Sequence, residues 1–149
     1  MGWNKIKRLT LIQQMAGLKK DFGDGKISFN RNKLTWEGML KSSPLGDEYK
    51  IKLVYENGQS PKVFVLEPQP LKLAEGKTRL PHVYDHQKQR LCLYYPDGRE
   101  WNSSKPIAQT IMIWTMEWLY FYELWLITGK WLGGGTNHGI SKTETKNAK

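Results

Sequence analysis

The single cysteine of the chain, Cys92, lies in the segment LPHVYDHQKQRLCLYYP at residues 80–96, which also holds two of the three histidines. A thiolate is a strong nucleophile and a good leaving group, so one cysteine can accept an acyl group as a thioester and pass it on. Cysteine is also among the most buried residue types, and the flanking Leu91 and Leu93 are typical of core filler. The loop setting, with His82 ten positions earlier, favours a nucleophile instead.

The first predicted element of the fold around Cys92 is a helix from Trp3 to Phe22. Leu11, Met15, Leu18 and Phe22 recur at helical spacing and form one apolar stripe. The rest of the helix is basic, with Lys5, Lys7, Arg8, Lys19 and Lys20. This stripe predicts that the helix packs one face against the core.

Four short segments that follow have the alternation of half-buried strands. The clearest is YKIKLVY, in which Tyr49, Ile51, Leu53 and Tyr55 alternate with polar residues. Short turn-like connections, one of them with Asn-Gly, predict an antiparallel meander with one face packed against other elements. The four predicted strands are residues 26–30, 33–41, 49–55 and 62–66.

Residues 68–100 have four prolines and no clear period, which predicts a long functional loop that contains Cys92. After the loop, Pro106 can occupy the first turn of a second helix, with Ser103 or Ser104 as its N-cap. An apolar stripe at helical spacing predicts that this helix covers the sheet. The stripe is Ile107, Ile111, Trp114, Trp118, Tyr122 and Trp125. We therefore expect one α+β domain over residues 1–140 and a polar tail over residues 141–149.

Composition limits the classes of protein to which the chain can belong. A hydrophobic content of 39% and an aromatic content of 12% favour a compact fold over disorder, and the net charge of +9 favours acidic or phosphate-bearing partners. The chain start lacks the apolar core of a signal peptide, and one cysteine cannot form an internal disulfide, so we expect a reducing cytoplasm. Gln109, Glu117, Glu123 and Lys130 interrupt the most apolar stretch, which we interpret as a core helix and not a membrane span.

The order of elements resembles the ubiquitin-conjugating enzyme fold, and three local motifs strengthen the resemblance. SPKVFV is similar to the family's Pro-Lys-Val segment, His82 precedes LCLYYP by the family's usual interval, and REWNSSKPIAQTI is similar to the stretch that leads into its central helix. The resemblance covers Trp3 to about Thr128. It implies a four-stranded antiparallel meander packed on a central helix, with Cys92 as the thioester-forming residue in a groove for an extended C-terminal tail.

Two departures from that family point to a particular bacterial branch. The family's His-Pro-Asn motif is replaced by His82-Val83-Tyr84, and the last two helices are missing, so the fold is C-terminally truncated. The ending WTMEWLYFYELWLITGKWLGGG resembles stand-alone conjugating-enzyme-like proteins of short type II cyclic-oligonucleotide-based anti-phage signalling systems (CBASS). That resemblance implies a thioester between Cys92 and the C-terminal glycine of a cGAS/DncV-like nucleotidyltransferase, which primes second-messenger synthesis.

The resemblance also suggests roles for four further residues, each with a plainer alternative. His82 would hold the active-site loop by hydrogen bonding, or be a histidine with no part in transfer. Tyr84, in the Asn position, would donate to an oxyanion or only pack in the loop. Trp101 would wall the groove beside Cys92, or be an ordinary core tryptophan. His138 follows three glycines that could turn the chain back to place it near Cys92 as a base, or it could lie in a frayed end.

Other cofactors and partners are less favoured. His82 and His86 have a helical ligand interval, but they follow Pro81 in a loop without the glutamate of a zinc protease, so we expect no metal and no cofactor. No ATP-binding glycine-rich motif is present, so either a separate activating enzyme would supply the acyl group or the covalent state would be reached by another route. No DNA- or RNA-binding motif accompanies the charge. The main alternative function is a non-catalytic variant that binds and scaffolds the nucleotidyltransferase tail.

Overall fold

The computed structural model describes residues 7–94 and 100–133, which fold into an antiparallel sheet of six strands and two α-helices, and it confirms the α+β class. The helices are α1 (Leu11–Asp21) and α2 (Ile111–Thr128), with a short 3₁₀ helix at Ile107–Gln109. The strands are β1 (Lys26–Asn30), β2 (Lys33–Lys41), β3 (Glu48–Glu56), β4 (Lys62–Glu67), β5 (Val83–Asp85) and β6 (Arg90–Leu91). The order across the sheet is β1-β2-β3-β4-β6-β5.

The first four strands form the predicted meander, because each pairs antiparallel with the next along the chain. In β3, Tyr49, Ile51, Leu53 and Tyr55 are all buried, as their alternation predicted. Gly58, in the turn before β4, has a φ of 86°, a conformation that glycine adopts without steric cost. These inward residues and both helices form one core.

The prediction of four strands was incomplete, since two further strands lie in the stretch that was expected to be an irregular loop. β5 and β6 have only three and two residues, too few for an alternating pattern to be detected. One bridge, between Phe64 and Arg90, joins β6 to the meander. We call the β5 and β6 pair, with the turn between them, the β5–β6 ribbon (residues 83–91).

A buried glutamine supplies the hydrogen bonds that so short a ribbon lacks. Gln89, 2% exposed, accepts through Oε1 from the Leu71 N–H at 2.7 Å. Its Nε2 donates to the carbonyl oxygens of Val65 at 2.9 Å and Pro68 at 3.1 Å. One side chain therefore joins β4, the proline-rich segment and the ribbon, and both its amide oxygen and its amide nitrogen have partners inside the protein.

Helix α1 begins at Leu11, so the predicted start at Trp3 was wrong for residues 7–10; residues 1–6 lie outside the described part. Thr10 and Gln13 form a capping box, with Gln13 N–H donating to Thr10 Oγ1 at 3.1 Å and Thr10 N–H donating to Gln13 Oε1 at 2.8 Å. The preceding Leu9 N–H donates to the Ser103 carbonyl oxygen at 2.8 Å. These bonds hold the chain out of the helix before Leu11.

The start of the second helix also differs from the prediction. Pro106 precedes the 3₁₀ helix, α2 starts only at Ile111, and neither Ser103 nor Ser104 caps it. Buried Gln14 of α1 takes the capping role, since its Oε1 accepts from the Ile107 N–H at 2.8 Å. A distant side chain of this kind cannot be found from local sequence.

The body of α2 agrees with its predicted stripe, of which Ile107, Ile111, Trp118, Tyr122 and Trp125 are buried and Trp114 is partly buried. The helix ends before Gly129, whose φ of 76° is left-handed and whose N–H donates to the Trp125 carbonyl oxygen at 2.7 Å. Neither α2 nor any other helix in the described ranges combines the length and apolar character that a membrane crossing requires. The predicted tail at residues 141–149 lies outside the described residues.

The carboxylate of Glu123 connects α2 to the turn between β2 and β3. It accepts from the Ser42 hydroxyl at 2.6 Å, from the Tyr49 hydroxyl at 2.8 Å and from the Asp47 N–H at 3.1 Å. Hydrogen bonds to a charged group are stronger than those between neutral groups. Glu123, noted from sequence only as a polar interruption, is therefore a structural anchor of the helix.

We expect Glu123→Ala to lower the free energy of unfolding by roughly 2 to 3 kcal/mol, because it leaves the three donors without their acceptor. Urea denaturation followed by tryptophan fluorescence measures this loss. Glu117→Ala removes the same type of side chain from an exposed position of α2 and should change the value by no more than about 0.5 kcal/mol. Equal losses in both variants would contradict the anchor role.

We also expect the free energy of unfolding to fall as the pH rises above 10. The pKa values of Tyr49 and Tyr122 are raised above the usual value of 10.0, mainly by burial of the hydroxyl groups and secondly by the nearby carboxylate of Glu123. Above that pH an unfolded tyrosine loses its proton while the folded one keeps it, so unfolding is favoured. Urea titrations between about pH 9 and about pH 11 should show this fall, and Tyr122→Phe should make it shallower. An unchanged slope in the variant would contradict the assignment.

Candidate active site

His82 and Cys92, which sequence spacing suggested as a pair, lie side by side and are joined through the main chain. The Cys92 N–H donates to the His82 carbonyl oxygen at 3.1 Å, and the same oxygen accepts from Trp118 Nε1–H at 2.9 Å. His82 has a φ of 48°, a left-handed conformation that costs energy for a residue with a side chain. The two donors to its carbonyl stabilise this conformation and attach the segment to α2.

The His82 ring packs against aromatic residues near the C-terminal end of the described chain. It stacks on Trp131 with ring centroids 4.8 Å apart and planes 30° from parallel. Trp131 in turn lies 5.5 Å from Trp118, which stacks on Tyr122 at 5.5 Å. Sequence reasoning missed Trp131, because a tryptophan three residues after a helix end has no pattern that relates it to residue 82.

Cys92 is partly exposed, whereas its neighbours Leu91 and Leu93 are 3% and 4% exposed. The two leucines occupy the core positions that the flanking sequence suggested for the cysteine. This arrangement favours a cysteine at the protein surface over a cysteine that only packs in the core.

Tyr84 is the side chain most directly associated with the thiol. It is 42% exposed, its hydroxyl donates its one proton to the Tyr94 carbonyl oxygen, and the Cys92 side chain lies close enough to compete for that proton when the thiol is ionised. The pKa of Tyr84 is raised, mainly by burial of its hydroxyl and secondly by the proximity of Cys92. Its hydroxyl therefore remains protonated, and able to donate, at neutral pH. Its role at an oxyanion stays a prediction.

Arg90 adds a positive charge that sequence reasoning did not single out. Its guanidinium carbon lies 4.8 Å from the centre of the Tyr84 ring, a cation–π arrangement. Its Nε is buried and has no hydrogen-bond partner within residues 7–94 and 100–133. The signal that could have identified it is strand alternation, which places Arg90 and Cys92 on the same side of the chain with buried Leu91 between them.

Trp101, predicted to wall the groove, is a core residue only 4% exposed. Its ring lies 5.6 Å from Tyr55 and 6.4 Å from Tyr94, and its Nε1–H donates to Thr110 Oγ1 at 3.0 Å. These contacts match the plainer alternative, and a role in a groove stays a prediction. His138, the second candidate base, lies outside the described residues.

His86 has a structural contact, since its Nδ1 accepts from the Leu80 N–H at 3.0 Å. In the described ranges, no three His, Cys, Asp or Glu side chains are grouped so that they could hold a metal ion. The chemistry available at this site is that of a thiol beside a phenol and a guanidinium.

We expect Tyr84→Phe to slow alkylation of Cys92 by iodoacetamide about fivefold at fixed pH, equivalent to roughly 1 kcal/mol, because the hydroxyl can turn its one proton from the Tyr94 carbonyl oxygen to the ionised sulfur and so favour the reactive thiolate. With one cysteine in the chain, mass spectrometry reads the rate directly. Tyr120→Phe, at an exposed position on α2, is the matched control and should react at the wild-type rate. An unchanged or faster rate in Tyr84→Phe would contradict this contact.

In comparison with known protein families, a family model described as a type II CBASS E2 protein matches residues 14–139, which include the whole candidate site from His82 to Trp131 and also His138. No curated protein matches the chain significantly.

Proposed function

The chain belongs to the type II CBASS E2 protein family, and on that basis we propose that it is a cysteine-dependent acyl transferase. In this proposal Cys92 forms a thioester with the C-terminal glycine of a cGAS/DncV-like nucleotidyltransferase and so primes synthesis of the antiviral second messenger. Family membership supports a role within a CBASS system with E2-like character. The identity of the partner and the thioester are our proposals.

The observation that carries the proposal is the presentation of Cys92. Cys92 is partly exposed, its neighbouring leucines are buried, and its main-chain N–H is held by the His82 carbonyl oxygen. A thiol buried as core filler could not meet another protein's C-terminus. Cys92 is only partly buried and its main chain is held in place, which suits a thioester-forming cysteine.

The proposed reaction proceeds in two acyl transfers. An unactivated carboxylate does not react with a thiol, so a separate activating enzyme delivers the glycine as an acyl adenylate or an acyl thioester. The Cys92 thiolate attacks the glycine carbonyl carbon, the C–S bond forms, and AMP or the activating enzyme's thiol leaves. A lysine amine or water then attacks the same carbon, the C–S bond breaks, and the Cys92 thiolate is regenerated.

Three residues take supporting parts in this proposal. His82 positions Cys92 through its main-chain carbonyl, not through its ring. The Tyr84 hydroxyl, in the position of the family's asparagine, donates to the oxyanion that develops on the glycine carbonyl oxygen. His138 is the candidate base for the proton of the attacking amine.

We expect intact-mass spectrometry of this protein, co-expressed with its nucleotidyltransferase and activating enzyme and purified without reductant, to show one species of the two summed masses less one water. Hydroxylamine at neutral pH should release both proteins, because it cleaves thioesters readily. Cys92→Ala should lose the species entirely.

Cys92→Ser is the matched control, since it keeps the shape of the residue but forms an oxygen ester that resists dithiothreitol. Tyr84→Phe should reduce the yield of adduct, while Tyr120→Phe on α2 should leave it unchanged. A stable complex without any covalent species, identical in wild type and Cys92→Ala, would contradict the enzyme proposal. That result would support a non-catalytic scaffold that binds the tail.

A further inference from the structure

The outer face of the sheet, away from the core, contains a cleft of about 520 Å³. Its floor consists of outward-facing residues of β2, β3 and β4, which alternate with the buried residues of the same strands. We call it the outer-face cleft and define it by Lys33, Lys52, Lys62, Phe64, Gln87 and Lys88. Its volume lies within the range of sites for small organic ligands, roughly 300–1,000 Å³.

One end of the outer-face cleft has a wall that is fixed by hydrogen bonds. Gln69 Nε2 donates to the Gln87 carbonyl oxygen at 2.8 Å and thereby connects the proline-rich segment to the turn of the β5–β6 ribbon. In the same turn, the Lys88 N–H donates to Asp85 Oδ1 at 2.9 Å. The wall is therefore an organised element, which distinguishes the cleft from the solvated face of an ordinary sheet.

The charge of the outer-face cleft is strongly positive. Four lysines line it, against a single carboxylate, that of Glu56. Lys33 pairs across the sheet with Glu56 and Lys52 pairs with Glu37, whereas Lys62 lies opposite the apolar Val54. Lys62 is thus the lysine of the three strands without an acidic partner across the sheet, and Lys88 adds a second charge from the turn of the ribbon, where the Asp85 carboxylate already accepts from its main-chain N–H. These two are the strongest candidates to bind an anion.

The floor offers an apolar and aromatic surface between these amines. Phe64, Val54 and Leu66 face outward and are half-buried, so part of each side chain is available to a ligand. Strand positions on a solvated face are usually polar, and three apolar side chains together there are unusual. The ring of Phe64 provides a surface on which a nucleobase can stack.

We propose that the outer-face cleft binds a nucleotide, a small ligand that combines phosphate groups with a planar base. The ammonium groups of Lys62 and Lys88 bind the phosphates as point charges, and the Phe64 ring and its apolar neighbours take the base. The side-chain amide of Gln87 supplies both donors and acceptors for the polar edge of a base. This site goes beyond the acyl transfer proposed for Cys92 and does not depend on it.

Isothermal titration calorimetry with ATP on the full-length protein at low ionic strength tests the proposal. We expect saturable binding with one site per chain. Adenosine, which lacks the phosphates, and tripolyphosphate, which lacks the base, should each bind at least about tenfold more weakly than ATP. The Cys92→Ala variant should bind ATP as the wild type does, which separates this test from the fate of the acyl-transfer proposal.

The double variant Lys62→Gln/Lys88→Gln should weaken ATP binding at least about tenfold, and Phe64→Leu should weaken it without changing the affinity for tripolyphosphate. Lys19→Gln/Lys20→Gln removes the same charge from exposed positions of α1 and should change affinity less than about twofold. Each of three results would overturn the nucleotide site. The two double variants could have equal effects, ATP could fail to saturate the protein by about 1 mM, or an acidic peptide such as pentaglutamate could bind as tightly as ATP.

Discussion

Two N–H groups, from the main chain of Cys92 and the indole of Trp118, converge on the carbonyl oxygen of His82, and the candidate site depends on this convergence. The oxygen joins three parts of the chain that are distant in sequence: the segment before β5, the segment after β6, and the middle of α2. Without it, β6 would be held to the meander mainly by the bridge between Phe64 and Arg90 and by Gln89. A ribbon this short has little stability of its own, so tertiary contacts have to supply its order.

Elsewhere in the fold, too, a few polar groups with several hydrogen bonds join segments that are far apart along the chain. Gln89 holds the proline-rich segment against β4, Gln14 caps the 3₁₀ helix before α2, and Glu123 receives three donors near the β2–β3 turn. A polar group in the protein interior contributes to stability only when it is satisfied, and these three are. Of the three, Gln89 bears on the candidate site, because its hydrogen bonds fix the residue that precedes β6.

Much of the meander and most of α2 could be predicted from sequence, since alternation and helical spacing are local signals that burial imposes. Tyr49, Ile51 and Trp118 are buried as their spacing predicted. The helix starts could not be predicted, because Ser103 binds the Leu9 N–H and Gln14 caps from another helix. At the site, spacing brought His82 and Cys92 together correctly, but it did not reveal Arg90 or Trp131, whose contacts depend on a two-residue strand and on the chain's return after α2.

In the proposed reaction Cys92 carries the C-terminal glycine of a partner nucleotidyltransferase, a role that its partial exposure and the family of the chain support. Proteolytic mapping of the non-reduced complex by tandem mass spectrometry identifies the two residues that are joined. We expect a branched peptide in which the Cys92 sulfur is acylated by the partner's C-terminal glycine and which hydroxylamine separates. A glycine found only on a lysine of this chain, with Cys92 recovered as an unmodified thiol in every preparation, would contradict it.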